Sequence, residues 1–233
     1  MRHVRRGIHG QIVESLGNGI VRGDWQPGEK LSDEAAIGTD LNVSRTVVRE
    51  AVKVLAEKGL IDSRPRVGTR ISPREKWNHL DPDILRWIFA NNPTKQHADD
   101  LIELRRMVEP RATRLAAKRR TAEDALQMRQ AYLDMVSAGE DIDAGIEPDI
   151  RFHQIILRAS GNRMLVPLGH VIESALAASF RISNTVPGAV EKSLARHEAV
   201  LVAIENGDAD AAESAMRDLI DRAQEAIYKI IVS

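Results

Sequence analysis

Two groups of residues in this chain have the types and spacing to do chemistry. In the first, Asp149 and His153 stand four apart, and His197 follows in a different predicted helix. Residues four apart project from one helix face. A carboxylate and imidazoles offered from facing helices of a bundle can hold a divalent cation. Alone, the Asp-x-x-x-His spacing also fits an exposed capping or ion-pair arrangement. Arg105 is a candidate of another kind, because a guanidinium fork suits a carboxylate. Its alternative is a structural ion pair with Glu103 or Glu109. The spare histidines His97 and His170 read as helix-surface residues.

The second group is Arg45, Thr46 and Arg49, placed just after the turn Asn42-Val43 and behind Ser44, a good N-cap. They fall on the side of a predicted helix opposite Val47, Val48, Ala51, Val52, Val54 and Leu55. Two arginines and a threonine at the nose of a helix can grip phosphates and base edges in a DNA groove. The competing reading is a core helix with a solvated polar face.

The elements that must carry these groups are predominantly helical. The chain has 233 residues, no cysteine, few aromatics and near-balanced charge. The missing thiols exclude a disulfide scaffold, a Cys-ligated zinc and a thiol nucleophile. No apolar run approaches the ~20 residues of a membrane span. The basic amino end lacks the apolar core of a signal peptide, so the cytoplasm is the expected location. Charge is uneven: residues 1–74 hold 13 basic and 9 acidic side chains, and the remainder 20 and 25. A front module of +4 and a rear module of −5 point to nucleic acid for the first and another partner for the second.

Apolar spacing predicts helices over 5–21, from Asp33 to about Leu41, and over 44–58, closed by Gly59. Two β-prone stretches, 60–63 and 70–72, flank a basic tip over 64–69, with Arg64, Arg66 and Arg70 near Gly68. Helix, helix, turn, helix and hairpin make a winged helix-turn-helix over 1–72, with the tip as its wing. Residues 73–80 read as a linker. A short helix starts near Pro82, and helices follow over about 95–118, 121–137, 146–160, 163–183, 189–205 and 209–231. The fold class is therefore mainly α, with an antiparallel helical bundle over 81–233. Trp77 and Trp87 could tie the modules together or simply pack.

The order Gly28-Glu29-Lys30-Leu31, Ser44 to Ala51, Leu55, Gly59-Leu60-Ile61 and Gly68-Thr69 resembles the DNA-binding domain of the GntR family of bacterial transcription regulators. The resemblance implies operator contacts by Arg45, Thr46 and Arg49 and minor-groove entry by Gly68, with Arg64 and Arg66 alongside. It departs at Ala35, where the family usually carries a basic residue; Lys30 or Arg64 is the expected partial replacement. Glu103 to Arg105, Val108 to Pro110, Asp149 to His153, Ala159 to Asn162, His197 and Asn206 to Asp208 resemble the FCD effector domain of the FadR subfamily. There a third histidine is common 22 residues after the position of His197; here it is Leu219. The resemblance thus implies a three-ligand site for zinc or a similar ion, with positions left for water or an oxyanion. The run from Trp77 to Leu85 and Leu219 itself resemble the sugar-acid branch of the subfamily.

Together these readings predict a homodimeric, ligand-released repressor on palindromic double-stranded DNA. Arg105 would hold the effector, a small organic acid and in particular a sugar acid. Activation, or a fatty-acyl or other carboxylate effector, stays open as an alternative. A metal-dependent hydrolase is the rival from another class, and it lacks a general base: Glu147, two residues from Asp149, is off that face.

Overall fold

The computed structural model describes residues 7–64, 68–91, 93–183 and 188–231. The chain divides into two compact units, Met1–Asn91 and Asn92–Ser233.

In the first unit α1 (Ile8–Arg22), α2 (Glu34–Asp40) and α3 (Arg45–Glu57) precede an antiparallel hairpin of β1 (Ile61–Arg64) and β2 (Gly68–Ile71). Ile61 pairs with Ile71, and Arg64 with Gly68 at the tip. The segment before α2 lies along the other edge of β2. Lys30 bridges Arg70, and the Leu31 amide donates to the Thr69 carbonyl at 3.0 Å. Ile12, Leu16 and Ile20 of α1 and Val48, Val52 and Leu55 of α3 meet in one core. This is a winged helix-turn-helix.

The turn between α2 and α3 is close-packed. Asn42 sits at φ 52°, a left-handed value that Asn tolerates better than most residues. A Cβ on Gly38 would lie 2.9 Å from the Val43 carbonyl oxygen, so only glycine lets the turn fold back this tightly. Ser44 caps α3 by accepting from the Val47 amide at 3.4 Å.

The helix α4 (Pro82–Ala90) packs on α1 within the first unit, whereas the sequence reading assigns residues 81–90 to the bundle. Trp87 is buried, its indole N–H donates to Glu14 Oε1 at 2.9 Å, and its ring fills the space that Gly17 leaves open. Arg86 grips the same Glu14 carboxylate through both terminal nitrogens at 2.6 Å. The apolar face of α4 was legible in the sequence, but not its partner. Trp77 joins the same core, so both tryptophans pack within this unit. Lys58, at the end of α3, donates to Asp81, the N-cap of α4, at 2.8 Å.

The second unit is helical throughout its described residues. It runs α5 (Lys95–Arg119), α6 (Ala122–Ala138), α7 (Ile142–Ala159), α8 (Val166–Ser183), α9 (Ala189–Asn206) and α10 (Ala209–Ile231). The helix α5 packs on α7, α9 and α10, and α7 also on α6 and α8. Met128, Phe152, Ile156, Leu201, Ile204, Met216 and Ile220 fill the centre. The expected six helices are present. The start of α7 is a turn earlier than the spacing suggests, because Asp141 caps it and Pro148 is accommodated inside the helix. Among the described residues no helix is long and apolar enough to cross a membrane.

Candidate metal centre and DNA-reading surface

Three helices of the bundle bring the rear group together. Asp149 and His153 project from one face of α7, as their spacing requires, and α9 supplies His197. One ligand atom from each lies within 4.8 Å of the other two, and all three residues are buried. From α5 come Arg105 and Glu109, also one turn apart and only 3% and 1% exposed. Burial of this many charged groups requires that they compensate one another.

They do so in a chain. Arg105 donates from Nε to Glu109 Oε1 at 2.6 Å and from Nη2 to Oε2 at 3.4 Å. Glu109 Oε2 also stands 2.7 Å from His153 Nδ1. The imidazole is turned so that its N–H points off the line to that oxygen. On the other side, His197 Nδ1 donates to the Ser193 carbonyl at 2.9 Å. Burial pushes the Glu109 carboxyl up, but the charges of Arg105 and His153 outweigh it and bring it down to about 2. Burial also raises Asp149, and His197 and His153 more than offset it, leaving that carboxyl below its ordinary value.

The fit to a cation follows from the tautomers. A backbone carbonyl only accepts, so a neutral His197 carries its proton on Nδ1 and leaves a lone pair on Nε2. That Nε2 has no hydrogen-bond donor and faces Asp149 Oδ1 at 3.1 Å. His153, with Nδ1 beside an ionised carboxylate, turns its Nε2 toward the same Oδ1 at 4.0 Å. These three buried ligand atoms fit a divalent ion, which would supply a positive charge between them, and the donor set suits zinc or a neighbouring transition metal. Leu219 is buried on α10 and contributes no ligand, leaving three protein ligands in this group.

The structure brings Asp149, His153 and His197 together. Of the two ion-pair partners weighed for Arg105 it is Glu109, while Glu103 is exposed. The contact of Glu109 with His153 was missed. The five-residue window Arg105 to Glu109 carried the signal for the pair, but nothing in the sequence aligns α5 with α7. His97 closes the cap of α5 with Thr94, and His170 is exposed beside Glu173, so neither joins the site. Glu147 is exposed and pairs with Arg151. A cleft lined by residues of α6, α7 and α8 includes Arg151 and Arg158, which are already paired with Asp134 and Asp124. It is separate from the buried group.

On the first unit Arg45, Thr46 and Arg49 are all exposed along the start of α3. Arg45 is 75% exposed, with Glu34 at 3.3 Å as its ion-pair partner. Gly68 opens β2 at φ 91°, and Lys30 lies against it: a Cβ on Gly68 would be 3.3 Å from Lys30 Cε. Arg66 and the side chain of Arg64 lie outside the described residues, as do the side chains of Arg181, Ser183 and Asn184. Ala35 is exposed at the start of α2, its amide capped by Asp33.

A winged reading head and a helical bundle with a buried polar centre define a ligand-sensing, DNA-binding transcription regulator. Residues 8–71 match the model for bacterial regulatory proteins of the gntR family, and residues 100–222 match the FCD domain. The chain belongs to this family of GntR regulators with an FCD domain. It is 35% identical over 211 residues to the galactonate operon transcriptional repressor of Escherichia coli, covering 90% of this chain and 92% of that one. It is 32% identical over 219 residues to an Escherichia coli regulatory protein assigned by name to an L-lactate dehydrogenase operon, covering 91% and 83%. The solved structure of Lar, which controls the expression of the Listeria monocytogenes agr system, superposes with a TM-score of 0.72 over 97% of this chain and 98% of that one. At 14% identity that likeness concerns the fold alone. The relatives and domains are those of regulators, not enzymes.

Proposed function

We propose that the chain is a homodimeric, cytoplasmic repressor of a catabolic operon, released from its operator by a small hydroxylated organic acid of the sugar-acid kind. The acid binds at a divalent ion held by Asp149, His153 and His197. The observation that carries this reading is the convergence of one ligand atom each from Asp149, His153 and His197, all buried inside the bundle and within 4.8 Å of one another. Three protein ligands leave room on the ion for two oxygens of an incoming molecule. A 2-hydroxy acid offers them as one carboxylate oxygen and the adjacent hydroxyl. Arg105, which makes no hydrogen bond through Nη1 among the described residues, takes the remaining carboxylate oxygen. The relatives named for galactonate and lactate operons support an acid of this class.

In the same reading two winged heads sit on a two-fold palindrome. Arg45, Thr46 and Arg49 enter the major groove, and Gly68 approaches the minor groove with Arg64 and Arg66 beside it. The acid shifts operator affinity only as far as it prefers the DNA-free arrangement of the heads. Calorimetry with aldonic acids, lactate and a fatty acyl thioester, with and without chelator, tests the site. Metal-dependent heat from an aldonic acid is expected. Heat from the thioester alone would replace the sugar-acid reading with the acyl one.

A further inference from the structure

We propose that Glu109 is the positioning residue of the metal group, held by Arg105 and fixing His153 in the tautomer that turns a bare Nε2 toward Asp149 and His197. The inference rests on the metal reading of the site. It assigns work to a residue that touches no ligand position itself.

An imidazole beside a binding position has two neutral forms, and only one offers a lone pair on the required nitrogen. For His197 the Ser193 carbonyl makes the choice. For His153 the neighbour on the far side of the ring is Glu109 Oε2 at 2.7 Å. A carboxylate could be rotated away, which would let the ring flip. Arg105 prevents this by occupying Oε1 at 2.6 Å and reaching Oε2 at 3.4 Å. The guanidinium only donates, so both oxygens stay acceptors. All three residues are buried, which keeps bulk water from these positions.

The substitution Glu109→Gln separates positioning from packing. The new side chain has the same shape. Its amide oxygen must face Arg105, so its NH2 group faces His153 Nδ1. A donor there calls for the Nδ1 lone pair, the ring proton moves to Nε2, and the ring presents N–H to the metal position. Cobalt(II) titrations of the full chain, followed by absorption, should show binding weakened about 10- to 100-fold, the usual cost of losing such a partner. Nitrogen-15 spectra of the histidine rings, taken on metal-free protein at alkaline pH, should show Nδ1–H in the wild type and Nε2–H in the variant.

Cobalt affinity matching the wild type, in a variant with normal helicity, would overturn the proposal. If the variant does not fold, the wild-type spectrum alone decides: Nδ1–H on His153 supports the assignment and Nε2–H overturns it. If the wild type binds no cobalt yet its ring shows Nδ1–H and the variant's shows Nε2–H, the metal reading fails and the role of Glu109 stands.

Discussion

The two working surfaces of this protein are built on opposite physical plans. The reading head keeps its tools outside: Arg45, Thr46 and Arg49 are exposed on α3, over a core that none of them enters. The bundle keeps its tools inside: Arg105, Glu109, Asp149, His153 and His197 are buried, and their charges are compensated by one another. Exposed tools can be changed at little cost to the fold, since surface substitutions away from special features stay within about 0.5 kcal/mol. Buried charges cannot, because removing one partner strands the other. Function and stability should therefore separate cleanly in the head and move together in the bundle.

The largest effect expected is on DNA. In the proposed dimer, Arg49→Ala would remove two of the proposed groove contacts at once. At about 1–3 kcal/mol each, operator affinity should fall by roughly two orders of magnitude or more. The melting temperature and acid binding should not change. Mobility shifts on DNA selected by the wild-type protein measure this, and unchanged affinity would remove α3 as the reading helix.

Next in size is the pair His153→Ala and His197→Ala. Each should cost at least the roughly 10- to 100-fold in metal affinity that loss of an outer partner costs. Each should also lower stability by about 2–4 kcal/mol, because a buried carboxylate loses its neighbour. Metal analysis and denaturant melts on the same samples test the coupling. Lost metal with unchanged stability would break the contrast between the two surfaces.

Acid provides the third test. Glu109 is held down to about 2, below its ordinary 4.5. The stability it contributes is complete above about 4.5 and is lost as pH falls toward 2. Arg105→Met removes the main charge that holds it down, so the variant's bundle should lose its structure at a higher pH than the wild type. Circular dichroism against pH reads the shift, and coincident acid transitions would mean that Arg105 does not stabilise the Glu109 charge.

The same contrast explains what was legible in the sequence. Local rules placed the elements: Ser44 as a cap, Gly59 as a left-handed end, and the six-helix bundle. Spacing within one helix placed Asp149 with His153, and the family pattern added His197. The failures were of partner choice between elements. The apolar face of α4 said that it packs, and only the fit of Trp87 over Gly17 and of Arg86 on Glu14 said against what. Glu109 looked like a helix ion pair because its second contact crosses to α7, and sequence distance carries no information about that.

The smallest effect is also the one that sharpens the head. Ala35 stands exposed at the second position of α2, where the resemblance to the GntR pattern leads one to expect a basic residue. Ala35→Arg restores that charge. Two terms oppose it: a cation near a helix N-terminus costs about 0.3–1 kcal/mol, and Glu34 beside it already pairs with Arg45 at 3.3 Å. Binding one more phosphate on each half-site should outweigh both. Operator affinity should rise modestly, and the salt dependence should steepen by roughly one unit per phosphate neutralised. A rise in affinity without a steeper salt slope would mean that the new arginine reads a base. No rise at all would mean that Lys30, lying against Gly68, already fills that role.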